Sequence, residues 1–191
     1  SVIDLKILSV NAGSSSLKFQ LYEMPEEKVL ISGLMERIGV GNSFYTIKVN
    51  GEKIKKEVEL NNHEEAFETL VKELEENNVV ESLEEIEGIG HRVVQGGDYF
   101  DKTVVIDDEV LAKIDELSSL APLHNPAAVT GIKAAKDVFP NAVQTAVFDT
   151  AFHQTMPKEN FLYALPINWY TDVKVRRYGA HGTSHKFVSQ R

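Results

Sequence analysis

Five short stretches of this chain hold residue types suited to handling anions or the groups that accompany them. Asn11-Ala12-Gly13-Ser14-Ser15-Ser16 follows an apolar run from Leu5 to Val10 and leads into Leu17-Lys18-Phe19. Small residues let backbone N–H groups approach a phosphate closely, hydroxyls add donors, and a lysine supplies a point charge. The same residues also suit a Ser-rich hairpin turn with a solvated lysine. A Walker A loop needs two glycines four residues apart, then Lys-Ser or Lys-Thr and a helix, and only Gly13 is present here. Leu17, Phe19 and Leu21 alternate with Lys18, Gln20 and Tyr22, so the loop is predicted to join two strands. Lys18 then projects on the face opposite Leu17 and Phe19.

In Gly90-His91-Arg92-Val93-Val94-Gln95-Gly96-Gly97, an arginine sits inside an apolar strand and is followed by paired glycines that permit close approach to the backbone. Its planar fork suits a carboxylate or a phosphate, and a structural ion pair equally well. His124 precedes Asn125-Pro126, a helix start where an anion is welcome; the ring can also serve as a loop-fixing donor. Asp149 stands at the end of the apolar run Val143 to Phe148, placed to orient an acceptor or a metal-bound water, or to cap the next turn. Gly179 and Gly182 bracket Ala180-His181, which frees the backbone and aims an imidazole at a ligand. His181 and His185 lie four apart, but Gly182 between them and the lack of a glutamate argue against zinc.

These residues need a scaffold, and the rest of the chain supplies one. Strands are predicted over Lys28–Leu34, Phe44–Val49 and Lys53–Leu60, the last two joined across Asn50-Gly51. Asn62 is an N-cap for a helix carrying Ala66, Phe67, Leu70, Val71 and Leu74 at helical spacing. Strands over Ile86–Val94 and Thr103–Ile106 precede a helix holding Val110, Leu111, Ile114 and Leu117. Asn125-Pro126 opens a further helix running to about Phe139, before the strand Val143–Phe148. The pattern is an α/β domain with antiparallel hairpins near the N-terminus.

Composition narrows the function classes. The 191 residues are 42% hydrophobic, enough to bury a core. With 29 acidic against 20 basic residues the formal charge is −9, and no basic run or aromatic-and-lysine stripe offers a surface to nucleic acid. No membrane span or signal peptide is readable. The absence of cysteine excludes thiol redox chemistry and accords with a cytoplasmic protein. Thr183 to Arg191 reads as the first turns of a helix with no stop signal, and Ser1 stands in place of methionine, so the chain is expected to be a piece of a longer protein.

Taken together, these segments resemble the acetate kinase family, within the acetate and sugar kinase, heat-shock ATPase and actin superfamily. Asn11 to Lys18 looks like its N-terminal signature and Arg177 to His185 like its second, with Gly90–Gly97, Leu120–Pro126 and Ala146–His153 matching internal blocks in order. The resemblance implies a ribonuclease H-like (actin/hexokinase-type) mixed sheet flanked by helices. It implies that residues 1–191 are an N-terminal domain and that a C-terminal nucleotide-binding domain is absent from this chain.

By the same resemblance, Asn11 is associated with Mg²⁺ (or Mn²⁺), and Ser14, Ser16 and Lys18 face the phosphates of ATP or ADP. Arg92 holds the acetate carboxylate or the phosphoryl group, while Val94 and Leu123 line a methyl pocket. Asp149 is the catalytic aspartate, His181 stabilises the phosphoryl group in flight, and His124 is a further active-site histidine. The implied reaction interconverts acetate and ATP with acetyl phosphate and ADP, in a full-length homodimer; the fragment itself is expected to be an inactive monomer. Ala180 departs from the family's usual phenylalanine beside the substrate pocket, which keeps a propionate or butyrate kinase in view. A non-catalytic carboxylate- or phosphate-binding module is the alternative from another class.

Overall fold

The computed structural model describes residues 5–93, 104–116 and 125–148. Five strands come first: β1 (Leu5–Ala12), β2 (Ser16–Met24), β3 (Lys28–Glu36), β4 (Phe44–Val49) and β5 (Glu52–Glu57). They form an antiparallel ladder, each strand pairing with the next. Helix α1 (His63–Glu76) then returns the chain to β6 (Ile86–Val93), which lies parallel to β1 on its other side. After β7 (Val104–Val105), α2 (Asp108–Glu116) and α3 (Asn125–Val138), β8 (Val143–Phe148) joins β6 in parallel. The described strands make one mixed sheet in the order β5-β4-β3-β2-β1-β6-β8-β7. This agrees with the α/β pattern and N-terminal hairpins expected from the residues and with the mixed sheet that the resemblance implies.

One face of the sheet is apolar because its strands alternate. Leu8, Val10 and Ala12 of β1 and Leu17, Phe19 and Leu21 of β2 share a core with Ala66, Phe67, Leu70 and Leu74 of α1 and with Ala134, Ala135 and Phe139 at the end of α3. Gly33 lies opposite Phe19 in the β2–β3 ladder. A Cβ there would stand 2.5 Å from the Phe19 ring, so only glycine leaves the aromatic its place. Helix α1 begins as expected, with the Asn62 side chain accepting from the Glu65 N–H at 2.8 Å.

Several boundaries differ from expectation; β3, for one, runs on to Glu36. β1 runs two residues past Val10, because Asn11 and Ala12 still pair with Lys18 and Leu17. β5 ends at Glu57 instead of Leu60. There Ser43 takes over: its Oγ donates to Val58 O at 2.5 Å and accepts from the Leu60 N–H at 2.7 Å, drawing Leu60 into the core. A 3₁₀ turn at Leu83–Glu85, capped reciprocally by Ser82 and Glu85, was not foreseen.

Candidate active site

The loop between β1 and β2 is shorter than its run of small residues suggests. Pairing continues to Ala12 and resumes at Ser16, leaving Gly13-Ser14-Ser15 to make the turn. The Gly13 N–H closes it by donating to Ser16 O at 3.0 Å. An added Cβ at Gly13 would sit 2.5 Å from the Ser16 Oγ, so glycine leaves room for that hydroxyl against the turn. Ser14 is exposed and Ser16 half-buried.

Because the hairpin closes so late, Asn11 belongs to a strand and not to the loop. It is the direct partner of Lys18, and paired residues put their side chains on the same face. Both are exposed between buried neighbours: Asn11 between Val10 and Ala12, Lys18 between Leu17 and Phe19. Across the parallel pairing on the other side of β1, Val10 is level with His91. The next residue on each strand therefore turns to the opposite face, which places Arg92 beside Asn11. Adjacent strands lie about 4.8 Å apart, so Lys18, Asn11 and Arg92 form a row about 10 Å long across β2, β1 and β6. Arg92 is in turn the partner of Val147 on β8.

The row stands at the carboxyl ends of the parallel strands β1 and β6, on the face away from α1 and α3. Sheets of this kind hold ligands at those ends, where loops diverge. One step down the strands the face is small and polar, with Ser9, Gly90 and Thr145 mutually paired across β1, β6 and β8. Two cations and an amide on one edge can hold anionic oxygens in line.

His91, one residue from Arg92, takes the other role available to a histidine. It is buried on the core face, where its Nε2 donates to the Gln144 Oε1 at 2.6 Å. Burial pushes its pKa down to about 4, and the bond to Gln144 recovers only part of that shift. It is a neutral structural ring.

Of the residues selected from the sequence, the structure brings Asn11, Lys18 and Arg92 together, with Ser14 and Ser16 in the adjoining loop. Val94, Leu123, His124, Asp149 and His181 lie outside the described residues. Sequence reasoning missed His63, the first residue of α1. Its Nε2 reaches Gly13 O at 2.8 Å and Ser16 O at 3.1 Å, under the candidate loop. The available signal was its spacing with Phe67, Leu70 and Leu74, which puts a histidine on the apolar stripe of the helix.

Comparisons with known proteins cover nearly the whole chain. The model of the acetokinase family matches residues 6–191. An acetate kinase from Macrococcus caseolyticus is 55% identical over 186 residues, which is 97% of this chain and 47% of the relative. Among solved structures, the acetate kinase of Porphyromonas gingivalis aligns with a TM-score of 0.75 at 45% identity, over 98% of this chain and 48% of that one. A propionate kinase from Francisella tularensis aligns at 0.71 and 46% identity, over 97% and 47%. The chain spans about half the length of the curated relatives it matches.

Proposed function

Because the chain belongs to the acetokinase family, we propose that it is the N-terminal domain of an enzyme that reversibly transfers the γ-phosphoryl group of ATP to acetate, giving acetyl phosphate and ADP. The observation that carries the reading is the row of Lys18, Asn11 and Arg92 along one sheet edge. Acetate is already ionised at neutral pH, so its activation needs little proton removal. The obstacle is the approach of one anion to another, and the site answers it with positive charge.

The donors beside the loop are the Asn11 amide oxygen and the Ser14 and Ser16 hydroxyls, all hard oxygens. Among the described residues no three His, Cys, Asp or Glu side chains gather to hold a metal. That set fits Mg²⁺ or Mn²⁺ carried chiefly by the nucleotide phosphates and water, with Asn11 as a protein contact. When bound, the metal draws negative charge from the β- and γ-phosphoryl oxygens.

The protein's own groups do the rest. Arg92 neutralises and aligns the acetate carboxylate, which turns an encounter of repelling anions into a fixed in-line approach. Lys18 screens the nucleotide phosphates from the opposite end of the row. His181 would donate to the equatorial oxygens of the loose transition state, and Asp149 would orient the metal or its water. Val94 and Leu123 enclose the methyl group, with His124 nearby. These last five roles rest on the match of their sequence blocks to the family.

The test is to join the chain to a C-terminal domain of the family and measure acetate-dependent ADP formation and acetyl phosphate production. Turnover with acetate supports the reading, and its absence with any short carboxylic acid overturns it. Ala180 favours a second reading, a propionate kinase, because by the resemblance the family usually carries phenylalanine at that position of the motif. Specificity constants for acetate, propionate and butyrate decide between them.

A further inference from the structure

In and beside the β1–β2 turn, the carbonyl groups of Gly13, Ser15 and Ser16 are held by donors on the protein side. Gly13 O and Ser16 O both face the Nε2 of His63, at 2.8 and 3.1 Å. Ser15 O accepts from the Ile38 N–H at 2.9 Å, and Ser16 O takes a second bond from the Gly13 N–H. A carbonyl oxygen can only accept, so the His63 Nε2 carries its proton and donates.

Within a trans peptide the C=O of one residue and the N–H of the next point in opposite directions. Binding Gly13 O to His63 therefore turns the Ser14 N–H away from α1. Binding Ser15 O to the Ile38 N–H, just past β3, turns the Ser16 N–H away from that side. A turn left free would be able to rotate these peptides and show carbonyl oxygens, which repel a phosphate.

His63 is well suited to hold the turn. It is buried, it has a rigid ring, and it starts a helix whose entry is set by Asn62 and whose apolar stripe is sunk in the core. Farther along α1, Glu73 accepts from Tyr45 of β4, from Lys56 of β5 at 2.8 Å and from Asn77 at 3.1 Å. The helix cannot slide along the sheet without breaking that set.

We infer that His63 is a positioning residue: its Nε2–H clamps the Gly13 and Ser16 carbonyls so that the turn meets a nucleotide phosphate with N–H and hydroxyl groups. The inference rests on the proposed reading of this turn as the phosphate-facing part of the site.

The experiment compares H63L, H63N and H63Q in the complete enzyme, this chain together with its C-terminal domain. The glutamine side-chain nitrogen falls near the position of Nε2, whereas that of asparagine falls near Nδ1. H63L and H63N are expected to lose about 10-fold in kcat/KM for MgATP, the scale of unmade bonds to buried carbonyls, with KM for acetate little changed. H63Q is expected to recover most of the loss. In the parent, ¹⁵N spectra of labelled histidine are expected to show His63 as the Nε2–H tautomer.

Parental MgATP kinetics in H63N, an equal loss on both substrates, or an Nδ1–H tautomer would each overturn the inference. If H63L does not fold, the contrast between H63Q and H63N decides. A complete enzyme that phosphorylates no carboxylic acid defeats the proposed function instead; calorimetry of MgADP binding to H63Q and H63N then still tests the clamp.

Discussion

Arg92 and His91 are adjacent on β6, yet one faces the candidate row and the other the core, because alternate residues of a strand face opposite ways. Arg92→Ala in the complete enzyme is expected to lower turnover about 10²-fold or more, the scale of losing one transition-state donor, and Lys18→Ala to raise KM for MgATP. Steady-state kinetics check both, and near-parental values would remove either residue from its assigned role. His91 makes a different prediction. Its folded pKa of about 4 lies below the unfolded value of about 6.5, so between these the unfolded chain binds the additional proton. Stability from this group is thus complete above pH 6.5 and declines as the pH falls toward 4, by on the order of 3 kcal/mol. Melting temperatures measured across that range should drop in the parent, and His91→Gln should flatten the profile.

At the scale of elements, two helices bring the core face close to the candidate turn. α3 crosses the end of β1 so closely that a Cβ on Gly131 would stand 3.0 Å from the Cβ of Ala12. Two effects compete at this position. Alanine in place of a helical glycine gains up to about 1 kcal/mol in propensity, whereas overpacking a tight contact costs about 1–3 kcal/mol. Gly131→Leu should therefore lower the melting temperature and weaken MgATP binding together, since Ala12 adjoins Gly13; an unchanged affinity would separate α3 from the site. α1 is fixed at its far end by Glu73. Burial alone would raise that carboxyl, but bonds from Lys56, Tyr45 and Asn77 outweigh it and leave the pKa below the usual range.

In the proposed reading, the whole molecule supplies one wall of a phosphoryl-transfer cleft. Its sheet order and its likeness to acetate kinase structures agree with the ribonuclease H-like fold expected from the resemblance. Among the described residues no helix is long and apolar enough to cross a membrane. In this reading the opposite wall comes from a C-terminal domain that closes over the row and excludes water. The 191-residue chain assayed alone should show negligible phosphoryl transfer and scatter light as a monomer. Adding the separately produced C-terminal half should restore turnover. Substantial activity in the isolated chain would show that this row needs no second wall.

Much of this design was legible in the residues. Alternation in β2 marks which of its side chains face the core, the apolar run of β1 marks a buried strand, and the Asn62 cap and the stripe from Ala66 to Leu74 announce α1, because these signals depend on neighbours only a few positions away. The candidate residues Asn11, Lys18 and Arg92 stood out as polar or charged groups within such patterns. What local signals do not carry is register. That Asn11 pairs with Lys18, that Val10 lies level with His91, and that His63 reaches back fifty residues to Gly13 were decided by strand pairing and helix packing. Shifting one strand by a single residue would reverse every face, so the row exists only because the buried side chains of the whole sheet accept one alignment.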